Sequence, residues 1–141
     1  MKISIAADQG GFELKQHIVK YLTDKGYDVS DFGTDSVESV DYPIFAKKIT
    51  ADVLSGGCEL AILVCGTGIG MSIAANKVAG IRAAVCGDVF SAEMARAHNN
   101  ANILCIGARV IDSALAEKIV DIFVSTLFEG GRHKTRVDMY E

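Results

Sequence analysis

The chain has 141 residues, long enough for one well-buried core and too short for two ordinary domains. Half of its residues are hydrophobic and 23% are charged, which is the balance of a globular protein and excludes disorder. A net charge of −4, with no segment that concentrates Lys and Arg, argues against nucleic acid as a partner, and no apolar run reaches membrane-spanning length.

In chain order, short β-rich runs alternate with longer amphipathic ones. Ile3–Ala7 reads as a first strand. The opening MKISIAADQGG enters it directly, without the long apolar stretch of a signal peptide. Phe12–Lys25 reads as a helix with Leu14, Ile18, Tyr21 and Leu22 on one face, ended by Gly26. Tyr27–Phe32 is a second strand, and Pro43 suits the first turn of a helix that runs to about Leu54 and stops at Gly56-Gly57. Leu60–Val64 is a third strand followed by a helix over Met71–Val78. Ile81–Cys86 then reads as strand, Ser91–His98 as helix, Ile103–Ile106 as strand and Ser113–Phe128 as a long last helix. The polar stretch after Phe128 reads as an irregular basic tail. Cys58, Cys65, Cys86 and Cys105 lack C-x-x-C spacing and read as reduced thiols, so a cytoplasmic protein is expected.

Five strands alternating with five helices predict one α/β domain over residues 1–141: a doubly wound, Rossmann-like parallel sheet with helices on both faces. In such sheets ligands bind beyond the carboxyl ends of the strands. Asp8, Cys65 with the Gly66–Gly70 loop, Gly87-Asp88 and Gly107–Arg109 all fall at those ends.

The segment LAILVCGTGIGMSIAA, Leu60–Ala75, carries the strongest signal. It runs a strand into a thiol, then a turn containing Gly66, Gly68 and Gly70, then a helix. Free backbone N–H groups at a helix start bind anions and stabilise oxyanions, and donors of this kind favour thiolate over thiol. The same glycines would also serve a plain tight turn. The spacing G-x-G-x-G after a third strand fits neither the dinucleotide fingerprint nor a P-loop, so no nucleotide cofactor is expected. Cys58, Cys86 and Cys105 lie in or near apolar runs and read as small buried hydrophobes, which Cys65 could also be. Asp8 is either a functional carboxylate or the cap of the Phe12 helix. A phosphoacceptor reading of Asp8 lacks the acidic cluster that chemistry needs. His98 closes a helix, where a histidine also suits the helix dipole. Arg132 and Arg136, at i and i+4, suit bidentate phosphate binding or form a solvated face, and Arg109 is a third candidate. No His, Cys and carboxylate set has a zinc or iron spacing, so no metal is expected.

Together these residues resemble the ribose-5-phosphate isomerase type B family, which also holds the galactose-6-phosphate isomerase subunits. The resemblance covers nearly the whole chain. It rests on Asp8, VDYP at Val40–Pro43, CGTGIGMSIAANK at Cys65–Lys77, GIRAAVC at Gly80–Cys86, AHNNANIL at Ala97–Leu104, GARV at Gly107–Val110 and EGGRHKTRV at Glu129–Val137. It implies a metal-free aldose–ketose isomerisation of a sugar phosphate through a cis-enediolate, with no cofactor. Cys65 would be the general base, and the amides of Gly66, Gly68, Ile69 and Gly70 would hold the enediolate oxygen, with Thr67 in support. His98, helped by Asp8, would open the furanose ring. Asn99 would hold hydroxyls, Tyr42 would wall the site, and Arg109, Arg132 and Arg136 would bind phosphate. Relatives without the cysteine use a Glu where this chain has Met71. The family usually has His where this chain has Gln9, near the phosphate end, which leaves a hexose 6-phosphate open beside ribose 5-phosphate. A noncatalytic sugar-phosphate sensor would keep the same anion site. The family also implies a homodimer or homotetramer with shared sites, in which the His98–Arg109 region meets the partner's Cys65 loop and the basic tail packs at that interface.

Overall fold

Apolar strands that lack an alternating polar face need cover on both sides, and the chain provides it. The computed structural model describes residues 1–141. Five strands, β1 (Lys2–Ala7), β2 (Asp28–Asp31), β3 (Leu60–Cys65), β4 (Ala83–Val85) and β5 (Ile103–Gly107), form one parallel sheet in the order β2-β1-β3-β5-β4. Six α-helices surround it: α1 (Phe12–Asp24), α2 (Tyr42–Ser55), α3 (Ile69–Asn76), α4 (Val89–Ala97), α5 (Ser113–Ser125) and α6 (Arg132–Asp138). None is long and apolar enough to cross a membrane.

The period of two along each strand sorts its side chains into two cores. Ile5, Ile62, Val64 and Leu104 face α1, α4 and α5, where Leu14, Ile18, Leu22, Ala95, Ile119 and Phe123 meet them. Ala6, Leu63, Cys65 and Cys105 face α2 and α3, against Phe45, Ile49, Met71 and Ala75. The chain passes from β1 out to the β2 edge, then crosses back to β3 on the other side of β1. Connections therefore leave β1 and β3 in opposite directions and open a crevice at their carboxyl ends, between Asp8 and Cys65.

The expected strands and first five helices are present, with shifted ends. Helix α3 starts at Ile69, two residues early, so Ile69 and Gly70 belong to its first turn. Helix α4 starts at Val89 because the Asp88 carboxylate caps Ser91 N–H, at 2.7 Å. Helix α5 ends at Ser125 and not at Phe128. Its Ser125 and Thr126 hydroxyls turn back onto the carbonyls of Asp121 and Ile122, and Thr126 is extended. The tail is not irregular. After Gly130 and Gly131 it forms α6, which buries His133 and Val137 and pairs Lys134 with Asp138. A 3₁₀ turn at Gln9–Gly11, unforeseen in the sequence, links β1 to α1.

One charge pair braces the β2 edge. The Lys15 side chain is 1% exposed, and its ammonium reaches both Asp31 oxygens at 2.7 and 2.8 Å. Asp31 also accepts the Gly33 N–H at 2.8 Å. Removing one member of such a pair strands the other in a poor solvent. Asp31→Asn is expected to destabilise the fold by about 3 kcal/mol in urea denaturation, with Lys15→Met in the same chain recovering most of that loss.

Candidate active site

Strand β3 ends at Cys65, which is 6% exposed, and the chain must then turn into α3 within three residues. Gly68 makes the turn with φ +81°, a left-handed conformation that strains a side-chain-bearing residue. The turn brings the Gly68 N–H to the Cys65 Sγ at 3.1 Å. The Thr67 hydroxyl accepts the Ile69 N–H at 3.2 Å. Two of the expected substrate donors, Gly68 and Ile69, are therefore engaged within the chain. The N–H groups of Gly66, Thr67 and Gly70 have no partner in the chain.

Three neighbouring elements close around this loop. Gly107 on β5 lies opposite Cys65, and a Cβ there would sit 2.6 Å from the Thr67 carbonyl. Tyr42, at the start of α2, packs its ring over Gly70, where a Cβ would meet it at 2.9 Å. Arg109, just past β5, reaches the loop from the other side: a Cβ on Gly66 would lie 3.3 Å from its Nη1, and its N–H bonds the Gly66 carbonyl at 3.0 Å. Asp8, 8% exposed, caps the 3₁₀ turn by accepting the Gly11 N–H at 3.2 Å. That is a capping role, although on the turn and not on α1 itself. The Gln9 Oε1 accepts the Val40 N–H at 3.0 Å and tethers the loop that delivers Tyr42. A cleft of about 530 Å³ opens between Gln9, Glu13, Ala108, Arg109 and Asp112.

Burial pushes the Cys58 and Cys86 thiols up to about 11 and raises Cys105 as well, so none is a ready nucleophile or base.

His98, Asn99, Arg132 and Arg136 do not join this group within one chain. His98 and Asn99 end α4 and precede β5, at the amino edge of the sheet, whereas Cys65 lies at its carboxyl edge. About 16 Å of strand separates the two levels. Helix α6 lies against the end of α4, with the Glu129 N–H on the Ala97 carbonyl at 3.0 Å and the His133 ring stacked on His98, centroids 4.0 Å apart. Arg132 and Arg136 are exposed on that helix. The stretch expected to act as one His98–Arg109 region is therefore divided within the chain: Arg109 stays with its own chain's Cys65 loop, and His98 lies at the other edge of the sheet. Nor does Asp8 stand beside His98. Sequence reasoning also missed Glu129 and His133, whose i, i+4 spacing was the available signal. Burial, His98, Arg132 and Arg136 hold the His133 imidazole below the ordinary histidine range, against a smaller opposing pull from Glu129.

Residues 3–140 match the Ribose/Galactose Isomerase family model. The chain belongs to the ribose/galactose isomerase family. Ribose-5-phosphate isomerase B of Escherichia coli K12 is 47% identical over 137 residues, covering 97% of this chain and 92% of its own. The D-erythrulose-4-phosphate isomerase of Pectobacterium atrosepticum is 43% identical, over 98% of this chain and 91% of its own. The solved structure of Clostridium thermocellum ribose-5-phosphate isomerase B superposes with a TM-score of 0.97 at 54% identity, over 99% of this chain and 94% of that one. This ribose/galactose isomerase is thus an aldose–ketose sugar-phosphate isomerase on a five-stranded parallel sheet.

The close approach of Gly107 to Thr67 gives a test of the loop's packing. Gly107→Ala is expected to cost about 1–3 kcal/mol in stability and to lower isomerase turnover, read by thermal melts and steady-state kinetics on the same preparation.

Proposed function

We propose that this isomerase interconverts ribose 5-phosphate and ribulose 5-phosphate, with Cys65 as the general base and a second copy of the chain completing each site. The observation that carries the reading is the Cys65 sulfur, nearly buried, accepting one N–H of a loop that leaves three others without partners. Starting from the aldose, the Cys65 thiolate takes the proton from C2. The electron pair moves through a C1–C2 double bond onto O1, and the unpartnered N–H groups of Gly66, Thr67 and Gly70 receive that oxygen's charge. The O2 proton passes to O1, Cys65 returns its proton to C1, and the ketone stands at C2. Preorganised donors suit this path because they need no reorganisation as charge develops. Tyr42 covers the loop and helps exclude water. Arg109 stands where it can pair with the phosphate, with the Gln9 amide as a neutral donor nearby.

Ring opening needs an acid, and His98 is the candidate, with Asn99 for hydroxyls and Arg132 and Arg136 for phosphate. Their position at the opposite edge of the sheet supports a site shared between copies: one chain gives Cys65 and Arg109, the other gives the α4–α6 cluster. A cytoplasmic metabolic role, without cofactor, fits this chemistry.

The 530 Å³ cleft beside Gln9 and Arg109 favours a second reading, in which the same chemistry acts on a hexose 6-phosphate. The four-carbon substrate in the name of the Pectobacterium relative indicates that chain length varies within the family.

Two experiments test these readings. Cys65→Ala is expected to lower turnover of ribose 5-phosphate by about 10³-fold and to abolish solvent deuterium uptake at C1 of ribulose 5-phosphate, with an unchanged melting curve. Wild-type turnover of galactose or allose 6-phosphate alone would move the substrate and keep the mechanism. Binding of the sugar phosphates without turnover of any would leave a sensor. Co-expression of the Cys65→Ala and His98→Ala chains tests the sharing. Random pairing in a two-fold assembly leaves one intact site in each mixed pair and restores about a quarter of wild-type activity, whereas a site within one chain restores none.

A further inference from the structure

The fold joins two histidines and a carboxylate that lie far apart or unremarked in the sequence. His98 at the end of α4 and His133 in the first turn of α6 stack with ring planes 9° apart, and Glu129 faces both. The Glu129 Oε1 lies 3.7 Å from the His98 Nε2 and 3.4 Å from the His133 Nε2. One ligand atom from each of the three falls within 4.8 Å of the others. Neither imidazole makes a hydrogen bond elsewhere in the chain, so the ring nitrogens are not committed to other partners.

From this geometry we infer that His98, Glu129 and His133 form a binding site for a borderline divalent metal ion of the zinc type. Two imidazoles and one carboxylate are a donor set that Zn²⁺ accepts, with a fourth position left for water. Bonds of about 2.0–2.1 Å to tetrahedral ligands put donor atoms about 3.3 Å apart, close to the two Glu129 separations. Stacked rings point their lone pairs side by side, so binding turns the His98 ring out of the stack. Within one chain that ring has room to turn: its side chain is 38% exposed, and Glu129, at 55%, can follow it. His133, 11% exposed and held by α6, is the fixed ligand.

The consequence for the reaction rests on the reading of His98 as the ring-opening acid. A metal on the His98 Nε2 occupies the lone pair that would carry the transferable proton. Occupancy therefore blocks turnover from the furanose aldose. Ribulose 5-phosphate has its C5 oxygen esterified and no furanose form, so C1 proton exchange by Cys65 does not require that acid.

Titration of the metal-free protein with Zn²⁺, followed calorimetrically, tests the site without relying on turnover. One Zn²⁺ per chain with a micromolar dissociation constant is expected. Affinity should fall at least 10-fold in Glu129→Gln, an exposed and isosteric change, and likewise in His133→Gln, while Cys65→Ala binds as wild type. Absence of saturable binding at 100 µM Zn²⁺ would overturn the inference. So would binding that survives Glu129→Gln and His133→Gln, or that is lost only in Cys65→Ala. Loss of ribose 5-phosphate turnover at saturating Zn²⁺, restored by EDTA, is the functional counterpart. If the wild type turns over no pentose phosphate, the substrate reading fails while the binding result still stands or falls by itself.

Discussion

Everything at the carboxyl edge of this sheet depends on how the chain leaves β3. Between the last strand residue, Cys65, and the first helical one, Ile69, only three residues reverse its direction, and the left-handed Gly68 is the one that permits it. The turn aims the Gly68 N–H at the thiol and leaves other loop amides without partners. A buried backbone donor without a partner is costly, so a loop that keeps several of them must hold them in reach of solvent or a ligand. The surrounding elements respect that requirement. Gly107 has no side chain to push the loop, Tyr42 lies over it from α2, and Arg109 places positive charge at its flank.

Most of this arrangement was legible in the residues themselves. The apolar continuity of Leu60–Val64 identified a strand buried on both faces, and the glycines after Cys65 marked the turn and the helix behind it. The face of α1 was equally readable: Leu14, Ile18 and Leu22 are in the core, and Tyr21 packs half-buried against it. Local signals stopped where hydrogen bonds between neighbours took over. The donors at Gly68 and Ile69 look as free in sequence as those at Gly66 and Gly70, and only the folded loop commits them to Cys65 and Thr67. The tail was misread for a related reason. Its polar residues outnumber its apolar ones, and the burial that makes α6 a helix comes from His133 and Val137 meeting the rest of the fold. The pairing of His98 with His133 is tertiary and left no spacing to find.

The separation of the polar residues into two groups follows from the strand direction. A parallel sheet puts every strand-to-helix turn at one edge and every helix-to-strand return at the other. Cys65 and Arg109 leave strands, while His98 and Asn99 approach one. No movement of side chains within a single chain bridges the intervening strand length. The four cysteines obey a similar division: all are buried, yet only Cys65 meets a loop donor.

The two outer strands carry a further consequence. On one side β2 presents Asp28, Ser30 and Asp31 to solvent, and on the other β4 offers only three residues of unpaired backbone. Acidic, polar or very short borders resist the strand-on-strand annealing that turns exposed sheets into fibres. Copies of this chain are thereby steered away from merging their sheets into one continuous ribbon. Association is left to helices and loops, where side-chain shape, and not repetitive backbone pairing, selects the neighbour.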